Sequence, residues 1–404
     1  MADAGIRANV AIAIDDGLVV AVGAMSDVER ELNNLDMGGS SDHRRPTEYI
    51  DCAGRVLTPG LVDSHTHAVF GRPRYDEQEL RAAGAGYMEI AQKGGGIHSS
   101  VRDLRTRSED DLLALTRVRL ERLARYGATT VEIKSGYGLS LEDELKSLRV
   151  VARLQNETSL RLVPTWLGAH EIPQEYRNGL DGRRQYIQQL VLEQLPIVAR
   201  EKLAEFADVF CEPGVFTIDE TRTILEAAHA RGLKLKLHAD ELEPCGGAEL
   251  AAELGATSAD HLAAISNEGI AALASSNTVA TLLPGTMFFL GRTRQAPARA
   301  LIETGAVVAL ATDFNPGTSP TPNLPLIMTM GVSQLHMSVA EVMLATTVNG
   351  AAALGLAGST GQIASGFSAD VALWDCEDAR EIPYWYGDAR CIATWCGGEP
   401  VHTA

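Results

Sequence analysis

The stretch Val56-Leu57-Thr58-Pro59-Gly60-Leu61-Val62-Asp63-Ser64-His65-Thr66-His67 decides how the rest of this chain is read. An apolar, β-like run over residues 56–63 ends in a His-x-His pair, and the two-residue period of a strand sends both imidazoles to the same side, about 6.6 Å apart along the backbone. One metal ion can bridge two rings so placed. A lone His-x-His is more often a pair of surface or core histidines. This one follows directly on Gly60-Leu61-Val62-Asp63, and the carboxyl end of a barrel strand is where barrel enzymes keep their reactive groups.

Seven further β-like runs lie downstream, at 129–134, 160–166, 207–211, 233–238, 258–262, 278–283 and 306–312. Segments with apolar residues at helical spacing separate them, among them 111–126, 142–154, 187–203 and 218–231. Eight such alternations predict an α/β fold, a (β/α)8 TIM barrel over residues 59–355, somewhat above the about 250 residues typical of that architecture. The flanks, 1–58 and 356–404, hold alternating runs at 9–14 and 19–22 around the turn Asp15-Asp16-Gly17, and at 370–375 and 392–396. Each flank is too small for a core of its own, so the two chain ends are expected to pair into one composite β domain beside the barrel. Residues 26–46 read as a surface loop with a short helix. Residues 324–356 read as a long helical stretch that either supplies an apolar interface between copies or closes the barrel.

Composition narrows the function classes. The 404 residues are 45% hydrophobic and 22% charged, and 35 Lys+Arg against 53 Asp+Glu give a net charge of −18. No basic stripe suits nucleic acid, so small-molecule partners are expected. No apolar run approaches the ~20 residues that cross a bilayer, and residues 1–15 lack a signal-peptide pattern; a cytoplasmic address follows. The six cysteines show no CxxC and no framework spacing, as expected of reduced thiols.

His238 closes the run at 233–237, His261 follows Ser258-Ala259-Asp260, and Asp313 follows the run to Thr312. Each alone reads as a hydrogen-bonded or solvated polar residue. Together with His65 and His67 they form five hits at one rim of the barrel. Three neutral imidazoles and a carboxylate suit zinc, iron or manganese with a position left for water, whose pKa such an ion lowers from 15.7 toward about 7. An anionic substrate entering so acidic a protein needs a cation, and Arg74, on the first rim loop, offers a bidentate fork; its alternative is an ion pair with Asp76 or Glu77. Tyr87 and Tyr137 each offer a hydroxyl on an aromatic body, although Tyr87 reads equally as core. Gly94-Gly95-Gly96 is either a lid or a plain loop. Lys134 reads as a structural ion pair.

The order His-x-His after strand 1, His after strands 5 and 6, and Asp after strand 8 resembles the amidohydrolase superfamily, and His238-Ala239-Asp240-Glu241 resembles the HxxE signature of its mononuclear members. Longer stretches resemble the imidazolonepropionase family within it: His65-Thr66-His67-Ala68-Val69-Phe70-Gly71 with Arg74, Val131-Glu132-Ile133-Lys134-Ser135-Gly136-Tyr137-Gly138, Leu167-Gly168-Ala169-His170, Phe210-Cys211-Glu212-Pro213-Gly214-Val215-Phe216, Ser258-Ala259-Asp260-His261-Leu262 and Ala311-Thr312-Asp313-Phe314-Asn315-Pro316-Gly317-Thr318. The likeness spans about residues 59–355. Arg72-Pro73 and Trp166 depart from the family pattern.

The resemblance implies a small β-sandwich built from both termini, a homodimer, and a single divalent or trivalent ion, zinc or iron, on His65, His67, His238 and Asp313, with His261 close by. It implies substrate contacts at Arg74, Tyr87, Tyr137, His170 and Glu241, with Asn315, Gly317 and Thr318 near the product. The implied reaction is hydrolysis of the lactam C–N bond of 4-imidazolone-5-propanoate to N-formimidoyl-L-glutamate in histidine degradation, with Glu241 as proton shuttle, Asp313 as an alternative base and His261 on the oxyanion. The rival readings are a mononuclear deaminase of a heterocyclic base, which shares the same ligands, and a metal-free scaffold of the same fold, although no ligand is missing here.

Overall fold

The computed structural model describes residues 4–37, 47–85, 94–177 and 179–403. The chain opens with a hairpin of β1 (Ala11–Asp15) and β2 (Leu18–Gly23). Its two-residue turn is Asp16-Gly17, at φ 47° and 77°, the left-handed pair that a tight hairpin requires. A helix over Met25–Met37 follows, longer than the expected short one, while residues 38–46 lie outside the described part.

The run expected as one strand at 56–63 serves two sheets. β3 (Val56–Pro59) joins an antiparallel sheet, and at Gly60 the chain passes into β4 (Leu61–Asp63), the first strand of the barrel. Only glycine fits there: a Cβ at position 60 would stand 2.2 Å from the Thr129 side chain. The parallel sheet continues in sequence order through β5 (Ala128–Lys134), β6 (Arg161–Ala169), β7 (Phe206–Cys211), β8 (Lys234–Ala239), β9 (Ser258–His261), β10 (Val279–Leu282) and β11 (Val308–Leu310). The seam between first and last strands closes at the rim, where Thr66 bridges Phe314, the Asp313 amide donates to the His65 carbonyl (3.0 Å) and the His67 amide to the Phe314 carbonyl (2.9 Å). The barrel thus closes through residues expected above as metal ligands.

The remaining strands, β12 (Val371–Trp374), β13 (Cys391–Cys396) and β14 (Glu399–Thr403), complete the antiparallel sheet in the order β14-β13-β12-β3. The opening hairpin reaches the same end of the chain: Leu18 bridges Ser368, and the Val19 amide donates to the Phe367 carbonyl at 2.9 Å. Both termini therefore contribute to these sheets, as expected.

Alternation along the barrel strands separates a charged interior from an apolar jacket. In β8, Lys236 reaches the Ser64 carbonyl inside the barrel, whereas Leu235 and Leu237 belong to the core shared with Ile224, Leu225 and Ala228 of the helix Ile218–His229. Capping boxes at Ser108 and Thr217 start the helices Glu109–Arg125 and Ile218–His229. The stretch expected at 187–203 begins earlier, at Gly179, and is interrupted by a π turn over Leu190–Gln194. That turn sets Gln194 against the fully buried Trp166, whose indole N–H donates to it at 3.1 Å. The long stretch expected at 324–356 is three helices, Leu324–Ser333, Val339–Ala345 and Val348–Ala353. His336, at φ 56°, and the Ser338 cap break its continuity, and the pieces pack on β4, β10 and β11. Among the described residues, no helix is long and apolar enough to cross a membrane.

Candidate active site

The strand ends bring His65, His67, His238 and Asp313 together, all buried. The Nε2 atoms of His65 and His67 are 3.3 Å apart, those of His67 and His238 3.4 Å, and Asp313 Oδ1 lies 3.6 Å and 3.5 Å from the first two. Burial, with the Lys134 charge adding, holds His65 well below the ordinary histidine pKa; burial and the His170 ring do the same for His67. His65 Nδ1 faces Asp260 Oδ2 at 2.6 Å, and His238 Nδ1 faces Asp208 Oδ2 at 2.9 Å. Only the first of these contacts is a hydrogen bond; a carboxylate oxygen accepts, so His65 carries its proton on Nδ1 and presents a bare Nε2 lone pair, while His238 Nδ1 lies beside Asp208 without hydrogen-bond geometry. Lone pairs crowded at this spacing repel unless a cation lies between them, and the residues therefore fit a metal ion.

Two of the rim residues hold backbone conformations rare outside glycine, His261 at φ 79° and Asp313 at φ 51°. Asp260 points into the barrel toward His65, and the turn at His261 brings the next side chain to the same mouth, 5.4 Å ring to ring from His65. His261 Nδ1 faces Glu241 Oε2 at 3.6 Å. Burial, the Asp313 charge and the Glu212 charge push the Glu241 carboxyl well above the usual range. Burial raises Asp313 to about 6, against a 2.5 Å hydrogen bond from the Thr286 hydroxyl.

These groups share a cavity of about 540 Å³ with Arg74, Tyr137, His170, Asn315 and Thr318. The Arg74 side chain is 8% exposed, and its Nε has no hydrogen-bond partner among the described residues. Of its two anticipated ion-pair partners, Glu77 lies 3.7 Å away while Asp76 pairs with Arg72. The guanidinium occupies the space a side chain at Gly317 would need, 1.6 Å from a Cβ there. Glu77 is itself buried and accepts from the Gly96 amide at 2.7 Å, so the glycine-rich segment is anchored at its end. His170 stacks on His67 with ring centroids 5.0 Å apart, and its Nδ1–H donates to the Gly136 carbonyl at 2.9 Å. A carbonyl only accepts, so Nε2 is left as an acceptor; burial, with the neighbouring His238 ring adding, lowers this ring's pKa to about 3. Burial raises the Tyr137 phenol. The Asn315 amide is spent within its own loop, donating to the Asp313 carbonyl and accepting from the amides of Gly317 and Thr318. Tyr87 lies outside the described residues.

Several residues escape the motif reading. Beneath the imidazoles, Lys134 Nζ bonds Asp208 Oδ2 (2.7 Å) and Glu132 Oε1 (2.9 Å), and Lys236 Nζ lies 3.3 Å from Glu132, all fully buried. The ion pair expected for Lys134 is thus present. Burial opposes the Lys134 charge, but Asp208, Glu132 and Asp260 outweigh it and hold its pKa above the ordinary value. The signal was available: Glu132 stands two residues before Lys134, and Lys236 two before His238, so each pair shares one face of its strand. Glu212 accepts from three successive amides, those of Glu241, Leu242 and Glu243, at 2.8 to 3.2 Å, and so holds the loop that carries Glu241.

A model of the amidohydrolase family matches residues 79–402. The imidazolonepropionase of Geobacillus kaustophilus is 45% identical over 401 residues, covering 99% of this chain and 92% of its own length. That of Bacillus cytotoxicus is 44% identical over 97% of this chain and 89% of its own. Among solved structures, an adenosine deaminase from Xanthomonas campestris with bound zinc superposes with a TM-score of 0.72 at 17% identity, covering 98% of this chain and 88% of that one. A 5-methylcytosine deaminase from Klebsiella pneumoniae gives 0.71 at 16%, covering 99% and 96%. At such identities these two likenesses speak for the fold alone. The chain belongs to the amidohydrolase family and, within it, to the imidazolonepropionases.

Proposed function

We propose that this protein hydrolyses the lactam C–N bond of 4-imidazolone-5-propanoate to give N-formimidoyl-L-glutamate, a step of histidine degradation. The observation that carries the reading is the buried Arg74 guanidinium, facing the same cavity as the histidine cluster with its Nε unpartnered. A cation desolvated in this way calls for an anion, and the substrate's propionate supplies one.

His65, His67, His238 and Asp313 would hold one divalent ion, zinc or iron, which when bound polarises the lactam carbonyl and lowers the pKa of water. Arg74 binds the propionate. His170 Nε2 accepts a ring N–H, and the Tyr137 hydroxyl, kept protonated by burial, donates. The Glu241 carboxyl, with its raised proton affinity, takes the proton of the attacking water at Oε2 and delivers it to the departing ring nitrogen. With Nδ1 turned to Glu241, His261 is left with Nε2 to steady the charge that grows on the carbonyl oxygen.

The test is hydrolysis of imidazolone propionate by the purified protein, with elemental analysis of the same sample. Glu241→Gln is expected to keep the metal content and lower kcat by ~10² or more, because the amide cannot relay a proton. Unchanged turnover would remove Glu241 from the relay. Ammonia release from a purine without ring opening of imidazolone propionate would favour the deaminase reading, and a metal-free, inactive protein the scaffold.

A further inference from the structure

The fully buried ammonium of Lys134 sits where two chains of contacts meet. On one side it bonds Asp208 Oδ2 at 2.7 Å, and the same oxygen lies 2.9 Å from His238 Nδ1. On the other it lies 3.7 Å from Asp260 Oδ2, and that oxygen is 2.6 Å from His65 Nδ1. One cation thus faces the carboxylates behind two of the three clustered imidazoles, one just beyond the end of β4 and the other in β8. We propose that Lys134 is a positioning residue for the metal centre: it holds Asp208 and Asp260 in place, and through them fixes the ring orientation of both His238 and His65 and the Nδ1–H tautomer of His65.

The physical argument rests on what a carboxylate does when left to itself. Without the ammonium between them, Asp208 and Asp260 would be free to turn toward other donors, which frees the imidazole behind each to rotate and lets His65 move its proton to Nε2. A ring protonated on Nε2 cannot ligate through that atom. Lys236 stands about as near to Asp260, at 3.8 Å, and reaches Glu132 at 3.3 Å, but among the described residues only Lys134 pairs with Asp208, and the hydrogen bond of Lys236 at 2.9 Å goes to the Ser64 carbonyl. The same ammonium groups also occupy the neighbourhood of the second cluster of donors, His65, Glu132 and Asp260, which otherwise has the spacing of a cation site. The barrel interior therefore directs its lone pairs to one ion above the lysines.

The inference rests on His65 and His238 being ligands, and the experiment separates the two claims. Zinc affinity of the full-length protein is measured by competition with a chelator for the wild type, His238→Asn, Lys134→Met and the charge-conserving pair Glu132→Gln/Lys134→Met. That pair removes one buried charge of each sign together, and so remains informative if Lys134→Met alone does not fold. The expected result is at least tenfold weaker zinc binding in the lysine variants, within the 10- to 100-fold range for loss of the groups that orient ligands. Imidazole ¹⁵N–¹H spectra of the zinc-free protein are expected to show His65 as the Nδ1–H tautomer in the wild type and as a mixture in the variants. Unaltered zinc affinity and an unaltered His65 tautomer in a folded Glu132→Gln/Lys134→Met protein would overturn the proposal and leave Lys134 a purely structural ion pair. Wild-type-like zinc binding by His238→Asn would instead overturn the ligand assignment on which it stands.

Discussion

Arg74 and Lys134 are both buried cations in an acidic chain, and their surroundings give them opposite uses. Lys134 is matched by carboxylates at 2.7 and 2.9 Å, so its charge is consumed within the protein. Among the described residues Arg74 pairs with one carboxylate, at 3.7 Å, shared with Arg81, which lies 3.3 Å from the other oxygen of Glu77. The unspent part of its charge faces the cavity. Arg74→Met is therefore expected to raise KM for the anionic substrate about 10- to 100-fold, the equivalent of about 1.5–3 kcal/mol for a hydrogen bond to a charged group, with kcat changed far less. An unaltered KM in steady-state kinetics would take Arg74 out of substrate binding. The motif reading could name Arg74 because its residue type and place on the first rim loop suffice. It could not tell that Glu77, rather than Asp76, would lie beside it, since that follows from which way the helix Tyr75–Ala82 turns its faces.

At the scale of elements, the joint at Gly60 shows how one residue divides a strand between two sheets. The register pairs Val56–Pro59 with Val371–Trp374, while Leu61 pairs with Ala128 of β5. Passing between these frames brings the backbone of residue 60 against Thr129. Gly60→Ala is expected to destabilise by about 1–3 kcal/mol, as overpacking does, and Thr129→Gly in the same chain to recover part of that loss; denaturant midpoints of the three proteins measure it. Equal midpoints would show that the neighbours yield without cost. Periodicity located the strand at 56–63, but a continuous apolar run carries no mark of a change of sheet. The same limit explains the stretch at 324–356, where apolar composition suggested one helix and the Ser338 cap starts a new one.

For the whole molecule, the proposed ligands lie on or just beyond the first, fifth and eighth barrel strands, and the seam between first and last closes through His65, Asp313 and Phe314. An ion held there ties together parts of the chain that are distant in sequence, and binding to the folded state stabilises it by about 4 kcal/mol when free metal is at 1,000 times its dissociation constant. Removing the metal with a chelator is expected to lower the thermal midpoint, and re-adding zinc to restore it. A midpoint that does not move, in protein shown by elemental analysis to have lost its ion, would mean that the seam is held without the metal.

The eight β/α alternations, the joining of both termini into antiparallel sheets, and the positions of His65, His67, His238 and Asp313 were legible because each depends on local pattern: alternation, helical spacing and polar residues ending apolar runs. The hairpin turn at Asp16-Gly17 was legible for the same reason, since left-handed backbone there asks for those residue types. What needed the tertiary structure are the pairings across the barrel, Lys134 with Asp208, Asp260 behind His65, Glu212 beneath the loop of Glu241, and the turn of His261 toward the cavity. These join residues 29 to 195 positions apart or depend on a rare backbone angle, and in a closed barrel the partner of an inward side chain is set by strand register and closure.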